Sequence, residues 1–531
     1  MIKHPMRIAL TVALAAAAAY GAAALPDDDP GGPRSADARY ADSAYAKNSE
    51  RKPPVIMIVL DEFPVDALLG PDGTIDRGRY PSFAELARTG TWYRNASTVY
   101  DSTTKAVPAI LDGKAPEKGT RPNFLDHPRS VYDLFGSRGY RIVSSEEATA
   151  ICPPRYCPGS RPRRPAILPF LQEGRRERLQ SFFSQVRPGP ATFYFKHVLL
   201  PHGPYMFLPS GRQSRAGWRD PLPSMNSIPG FFDDYLTLHN QQRMLLQIGF
   251  VDRELGRLFE RLRRLDMYDR SMIVVTSDHG LSSEVGRDSR RSTDRRNADE
   301  IAPVPLFIKA PRQGGGRTDD SYVRTTDIVP TMADVLGIPM PYRADGHSAR
   351  SRAVLRRRAI AVVRRDLSGT VVVGAAEMER RRRALTRRRL RLLGSGDWAS
   401  LYTGIGPNRR LLGRPVSMLR TARAGALRAR LVGASTSGAV NSASLIRPTE
   451  VSGQLSGGRP GVERELAVAV NGRIEAVGRS FHLTRSRTDF RPEPTESFAV
   501  NVPERSLQVG RNRIELFEVT AGGRLRPVGR A

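Results

Sequence analysis

The 531-residue sequence predicts an α/β protein with a mostly parallel central sheet flanked by helices, followed by a C-terminal all-β, sandwich-like domain. Three observations carry this expectation. The apolar runs VIMIVL, TFYF and MIVV have strand length and end in charged or polar residues, as strands buried on both faces of a parallel sheet do. Segments of helical period alternate with them. Beyond about residue 413 the period changes to two, with hairpin signals.

At the N-terminus, Lys3 and Arg7 precede an apolar run over residues 8–25, then acids and prolines. Residues 1–25 read as a signal peptide or an N-terminal membrane anchor, so the chain is expected to be exported and extracytoplasmic, either secreted or anchored. Residues 26–53 are rich in Asp, Gly, Pro, Ser and Ala without periodicity and read as a flexible linker. An oxidising compartment gives the only two cysteines, Cys152 and Cys157 in CPPRYC, a local disulfide as their expected state.

A catalytic domain is expected over 54–350. PVIMIVLDEFP reads as a strand, YPSFAELARTG as a helix with a glycine stop, and ATFYFKHVLLPHGPY as a second strand. Leu245, Ile248, Val251, Leu255 and Leu258 mark a long helix; SMIVVTSDHG and VPLFIKAP are strands, and TDIVPTMADVLGI is a short helix. Polar groups just past strand ends place the site at the carboxyl edge of the sheet. Residues 351–412 read as a basic extension with strand candidates AIAVV and TVVVGAA and an arginine-rich helix. In 413–531, ELAVAVNGRIEAVGRSF alternates around Asn471-Gly472, a hairpin signal, and SFAVNVP and NRIELFEV continue the pattern.

The net charge is +29, and only eight of the 83 basic residues are lysine. The clusters RRSTDRR, LRRR and ERRRRALTRRRLRLL suit an anionic envelope glycolipid or polymer, or association with an anionic membrane surface; equally, they read as solvated faces of a biased composition. Nucleic acid is not expected, because no aromatic residues interleave the basic runs as a base-stacking surface requires.

Asp61-Glu62, the hydroxyl cluster in YDSTTKAVPAILDG and Asp278-His279 all fall at strand ends of one sheet. A divalent cation needs anionic oxygens or imidazoles from separate segments, which these supply together; singly, each is as easily a helix cap or a turn.

Over about 54–350 these segments, in this order, resemble the alkaline phosphatase and sulfatase superfamily. IVLDEFP and VVTSDHG look like its metal-binding strands, KHVLLPHGPY like its substrate-histidine segment, and TTDIVPTMADVLGIP with DGHS like the end of its catalytic domain. The resemblance implies one divalent metal ion (Mn, Mg, Ca or Zn) held by Asp61, Glu62, Thr103, Asp278 and His279. It implies His202 as a catalytic and substrate-binding histidine, assisted by His197.

The Cys/Ser-x-Pro-x-Arg motif that sulfatases convert to formylglycine is not found in the YDSTTKAVPAILDG segment: neither Ser102 nor either threonine has a proline two positions later, and the segment has no cysteine. ILDG looks like the family's LLTG, and counting back from it the resemblance implies Thr103 as the nucleophile, with Thr104 the fallback; Pro108 matches the Thr-to-Pro spacing of the phosphoethanolamine transferases. Lys105 could donate to a substrate oxygen or be a plain turn residue.

Coordination to a cation would activate such a hydroxyl for attack at phosphorus or sulfur. The expected function is therefore an extracytoplasmic hydrolase or transferase of phosphoryl or sulfuryl esters. A true sulfatase and an inert wall-polymer-binding protein are the alternatives.

Overall fold

The computed structural model describes residues 52–162, 167–215, 233–287, 289–403, 405–432, 439–483 and 495–531. The signal or anchor segment and nearly all of the linker lie outside the described residues. Among the described residues, no helix is long and apolar enough to cross a membrane.

Seven strands form the first sheet: β1 (Val55–Asp61), β2 (Thr91–Tyr93), β3 (Arg141–Ser145), β4 (Thr192–Pro201), β5 (Met272–Ser277), β6 (Leu306–Lys309) and β7 (Arg317–Asp319). Their order is β3-β4-β1-β5-β6-β2-β7. β1 lies parallel between β4 and β5, and only β6 runs antiparallel to its neighbours β5 and β2. VPLFIKAP, expected as a further strand, supplies that reversed strand.

Every residue of β1 is buried, and its two faces feed two cores. Ile56, Ile58 and Leu60 pack into a core with Phe63, Phe83, Leu179 and Leu245; Val55, Met57 and Val59 pack into another with Val107, Ile110, Phe135 and Val329. That two-sided burial is why the strand reads as one unbroken apolar run.

The helices in chain order are α1 (Pro81–Thr89), α2 (Thr103–Asp112), α3 (Val131–Gly136), α4 (Ile167–Gln172), α5 (Arg175–Gln185), α6 (Asp234–Arg264), α7 (Ala298–Ile301) and α8 (Ile328–Val335). The first core is closed by α1, α5 and α6, the second by α2, α3 and α8. At the start of α6 the Asp233 carboxylate accepts the Leu236 N–H, and Arg261, Arg263 and Arg264 end the helix where its dipole favours cations. Cys152 and Cys157 are joined in a disulfide.

After α9 (Arg352–Arg356), the antiparallel pair β8 (Ala359–Val363) and β9 (Thr370–Gly374) leads directly into α10 (Ala375–Leu393), the arginine-rich helix. The C-terminal strands are β10 (Arg428–Val432), β11 (Ala439–Val440), β12 (Glu450–Ser456), β13 (Glu465–Val470), β14 (Arg473–Leu483), β15 (Thr495–Asn501), β16 (Gly510–Arg511), β17 (Ile514–Val519), β18 (Leu525–Pro527) and β19 (Gly529–Arg530). Eight of them form one sheet in the order β18-β17-β13-β14-β15-β12-β10-β19, with β11 paired to β16. Asn471 and Gly472 both take positive φ, 51° and 81°, the turn that joins β13 to β14.

Only Val528 separates β18 from β19, yet these stand at opposite ends of the sheet order. The sheet therefore folds over until its edges meet, and its apolar core takes residues from β10, β12, β13, β15 and β17. The sandwich-like character comes from one sheet bent on itself. This body packs on α6, where Tyr235 Oη donates to the Ala499 carbonyl at 2.7 Å and Arg243 pairs with Glu450 at 3.3 Å; Arg215, which precedes the helix, pairs with the same Glu450 at 3.1 Å.

Candidate active site

Strand alternation brings the site together. On β1, residues 55, 57 and 59 face the α2 core, and Asp61 continues that parity; on β4, Phe193 and Phe195 face it and His197 follows; on β5, Met272 and Val274 face it, and Asp278 lies in step just past the strand end. The ladder runs on past β5, with Asp278 N–H donating to the Leu60 carbonyl at 3.0 Å. Three adjacent strands thus deliver Asp61, His197 and Asp278 to one place, where one ligand atom from each lies within 4.8 Å of the others.

α2 opens over this group. Ser102 is its N-cap and Thr103 its first residue, so the Thr103 hydroxyl sits at the positive end of the helix dipole. Thr103 Oγ1 lies 3.4 Å from Asp61 Oδ1 and 3.3 Å from His279 Nε2. The Nδ1 of His279 faces the Gly280 carbonyl at 2.8 Å; with its proton there, Nε2 presents a lone pair towards Thr103 and lies 3.5 Å from Asp278 Oδ2.

The donor set fits a cation. Asp278 Oδ1 accepts N–H bonds from Glu62 at 2.9 Å and His279 at 2.7 Å, whereas among the described residues the buried Oδ2 has no hydrogen-bond partner, nor has either ring nitrogen of His197. Burial lowers the His197 pKa to about 4, which keeps the ring neutral and its lone pair available. Burial, then the Asp278 and Glu62 carboxylates, hold the Asp61 carboxyl well above its ordinary range, with Arg291 and Arg290 opposing. Crowded, desolvated carboxylates beside a neutral imidazole are what a divalent ion relieves. Asp61, His197 and Asp278 would hold it, with Thr103 and His279 alongside.

Glu62 goes elsewhere. Its backbone is left-handed, φ 59°, a conformation that strains a non-glycine residue and turns the chain sharply after β1. Its carboxylate is gripped by Arg290 through Nε at 2.8 Å and Nη2 at 3.1 Å, with His202 Nε2 at 3.5 Å. Glu62 and His202 are therefore brought together with Arg290, outside the three-residue ligand group. His202 Nδ1 faces the Gly203 carbonyl at 2.5 Å, and burial lowers the ring's pKa to about 4. Lys105 turns away from Thr103; its Nζ donates to the Glu117 carbonyl at 2.5 Å and Thr120 Oγ1 at 2.9 Å.

Arg290 and Arg291 belong to RRSTDRR, which composition alone presents as a surface patch; Arg290 is instead 7% exposed. Nothing local marks it. His197 carried a signal, its parity with Phe193 and Phe195, that separates it from the Lys196 side of the strand, where Lys196 Nζ meets Glu147 Oε1 at 2.6 Å.

The fold and this strand-end cluster define a protein of the alkaline phosphatase and sulfatase kind. A family model described as Sulfatase matches residues 53–338, just over half of the chain. The chain belongs to the Sulfatase family. Arylsulfatase K of Homo sapiens is 32% identical over 98 residues, 18% of this chain and 18% of that protein. An Endo-4-O-sulfatase of Bacteroides thetaiotaomicron is 25% identical over 142 residues, covering 26% of this chain and 27% of that one. The chain thus spans about a fifth to a quarter of the length of these relatives. A solved phosphonate monoester hydrolase from Silicibacter pomeroyi superposes with a TM-score of 0.43 at 18% identity, covering 64% of this chain and 96% of that one.

Proposed function

We propose that this chain is an extracytoplasmic, metal-dependent hydrolase or transferase that acts on phosphoryl or sulfuryl esters of an anionic envelope glycolipid or polymer, with Thr103 as nucleophile. The placement of Thr103 Oγ1 between Asp61 Oδ1 and His279 Nε2, at a helix N-terminus, carries the reading. A divalent ion held by Asp61, His197 and Asp278 would lower the pKa of the attacking hydroxyl and neutralise charge on the transferred group.

The chain's own residues supply the rest. Thr103 Oγ1 forms a bond to phosphorus or sulfur while the ester bond to the leaving oxygen breaks, and its proton passes to Asp61 Oδ1 or His279 Nε2, both acceptors within reach. The leaving alcohol takes its proton from His202, whose ring first gains a second proton from solvent as the anionic substrate binds. Burial holds that ring neutral, and an anionic substrate beside it favours recharging. Arg290 and Arg291 act electrostatically on Asp61 and bring positive charge to an anionic ester. Water or an alcohol then releases the group from Thr103, as in a hydrolase or a transferase respectively.

The second reading, a sulfatase acting on sulfuryl esters alone, is favoured by the family and by relatives named as sulfatases. A threonine in place of the Cys/Ser-x-Pro-x-Arg nucleophile weighs against formylglycine chemistry.

The test supplies Mn, Mg, Ca or Zn and assays an aryl phosphodiester and an aryl sulfate. Thr103→Ala should lower turnover by at least about a thousandfold with folding intact, and intact mass should show a phospho- or sulfo-threonine in the wild type. Turnover of the sulfate alone supports the second reading. Undiminished turnover by Thr103→Ala overturns the nucleophile assignment.

A further inference from the structure

We propose that the outer face of α10 is a docking surface for a linear, densely charged anionic polysaccharide, separate from the Thr103 site. The helix sorts its arginines into two sets. Arg381, Arg382 and Arg389 turn inward: Arg381 donates to Asp299 Oδ1 at 2.5 Å and to the Arg295 carbonyl, Arg382 to the Arg94 carbonyl at 2.8 Å, and Arg389 to the Leu69 carbonyl. Met378 and Leu393 are buried on the same side. These contacts hold the helix on the chain segments that leave the active site after Glu62 and after Arg291.

Arg380, Arg383, Arg387, Arg388 and Arg391 are exposed. Spacings of three and four residues, with Arg387 and Arg388 adjacent, keep all five within about 140° of the helix circumference, over about 16 Å of axis. Only Arg383 has a carboxylate partner among the described residues, Glu379 at 2.7 Å. No acid follows until Asp397. Four pairs within this stripe stand at like-charge i,i+3 or i,i+4 positions, which repel one another, so the bare stripe disfavours the helix and a bound polyanion relieves it.

The chemistry selects the partner. One cation per about 4 Å of axis would leave most guanidinium groups unpaired against a sparsely charged chain. The stripe has no aromatic residue on which bases could stack. Its only other outward residues, Ala376 and Ala384, offer no apolar wedge for a bilayer. A flexible polymer carrying repeated sulfate or phosphate groups answers all three features, and guanidinium forks suit those oxyanions.

The probe is dextran sulfate, with neutral dextran, tRNA and phosphatidylglycerol vesicles in parallel, and binding is measured on the full chain without turnover, so this inference and the Thr103 reading fail separately. A variant with all five outer arginines changed to Gln should bind dextran sulfate at least about tenfold more weakly at 0.1 M salt, with a flatter dependence of log affinity on log salt. Hydrolysis of a small aryl ester should be unchanged. A control changes five exposed arginines of the C-terminal body, Arg414, Arg420, Arg423, Arg459 and Arg505, to Gln and should keep wild-type binding. Equal losses in the two variants would assign binding to the overall +29 charge and overturn the proposal. Tighter binding of vesicles or tRNA than of dextran sulfate, removed by the α10 substitutions, would overturn it in favour of that partner.

Discussion

Glu62→Gln separates an ion-pair role from a metal-ligand role. In the structure both oxygens of Glu62 are taken by Arg290, at 2.8 and 3.1 Å, and both side chains are buried. The substitution keeps the shape but leaves the Arg290 guanidinium without a counter-charge, at an expected cost of about 3–5 kcal/mol. Glu62→Gln/Arg290→Gln removes both charges and should recover at least about half of that loss.

The pH dependence follows from the same pair. Burial alone would raise the Glu62 carboxyl, but Arg290, His202 and Arg291 together hold it far below its ordinary value of 4.5. A depressed folded-state pKa gives stability that is complete above 4.5 and is lost as pH falls further, so the gap between wild type and Glu62→Gln should close in acid. Urea unfolding at pH 7 and pH 3, with metal content at pH 7 by elemental analysis, reads both. Glu62→Gln should keep its metal and Asp278→Asn should lose it. A Glu62→Gln protein that loses its metal while unfolding at the wild-type urea concentration would refute the reasoning.

Three other outcomes are expected. A Cβ at Gly280 would lie 2.5 Å from the Glu300 carbonyl, so Gly280→Ala should displace the His279 loop, cost about 1–3 kcal/mol and lower kcat, read by urea unfolding and ester turnover. His202, buried with a pKa of about 4, resists protonation in the folded state only, so about 3 kcal/mol of stability should be lost between pH 6.5 and pH 4; His202→Gln should flatten that part of the pH–stability profile. Lys105→Ala should leave kcat/KM within about threefold, because its ammonium is spent on Glu117 and Thr120, and rest on stability of the 114–120 loop instead.

Much of the framework was legible because local geometry writes itself into residue order. Strands buried on both sides are apolar at nearly every position, so β1 stands out as an unbroken run up to Asp61, and β4 and β5 as runs interrupted only by Lys196-His197 and by Thr276-Ser277. Asn471-Gly472 announces its hairpin because both residues tolerate positive φ. The family's motif order pointed to Asp61, Thr103, Asp278 and His279, which meet within hydrogen-bond or ion-pair reach of one another through Thr103 and Asp278.

The sequence by itself therefore determined the alternation of strands and helices, the change to period two near residue 413 and the strand-end position of the chemistry, since each depends on neighbours a few residues apart. Tertiary structure alone decided how the charges pair. It joined Glu62 to Arg290 across 228 residues, set His197 beside Asp61 and Asp278, bonded Lys105 to Glu117 and Thr120 and closed the C-terminal sheet edge to edge. A buried charge takes whichever counter-charge the packed elements bring nearest, and no periodicity along the chain records that choice.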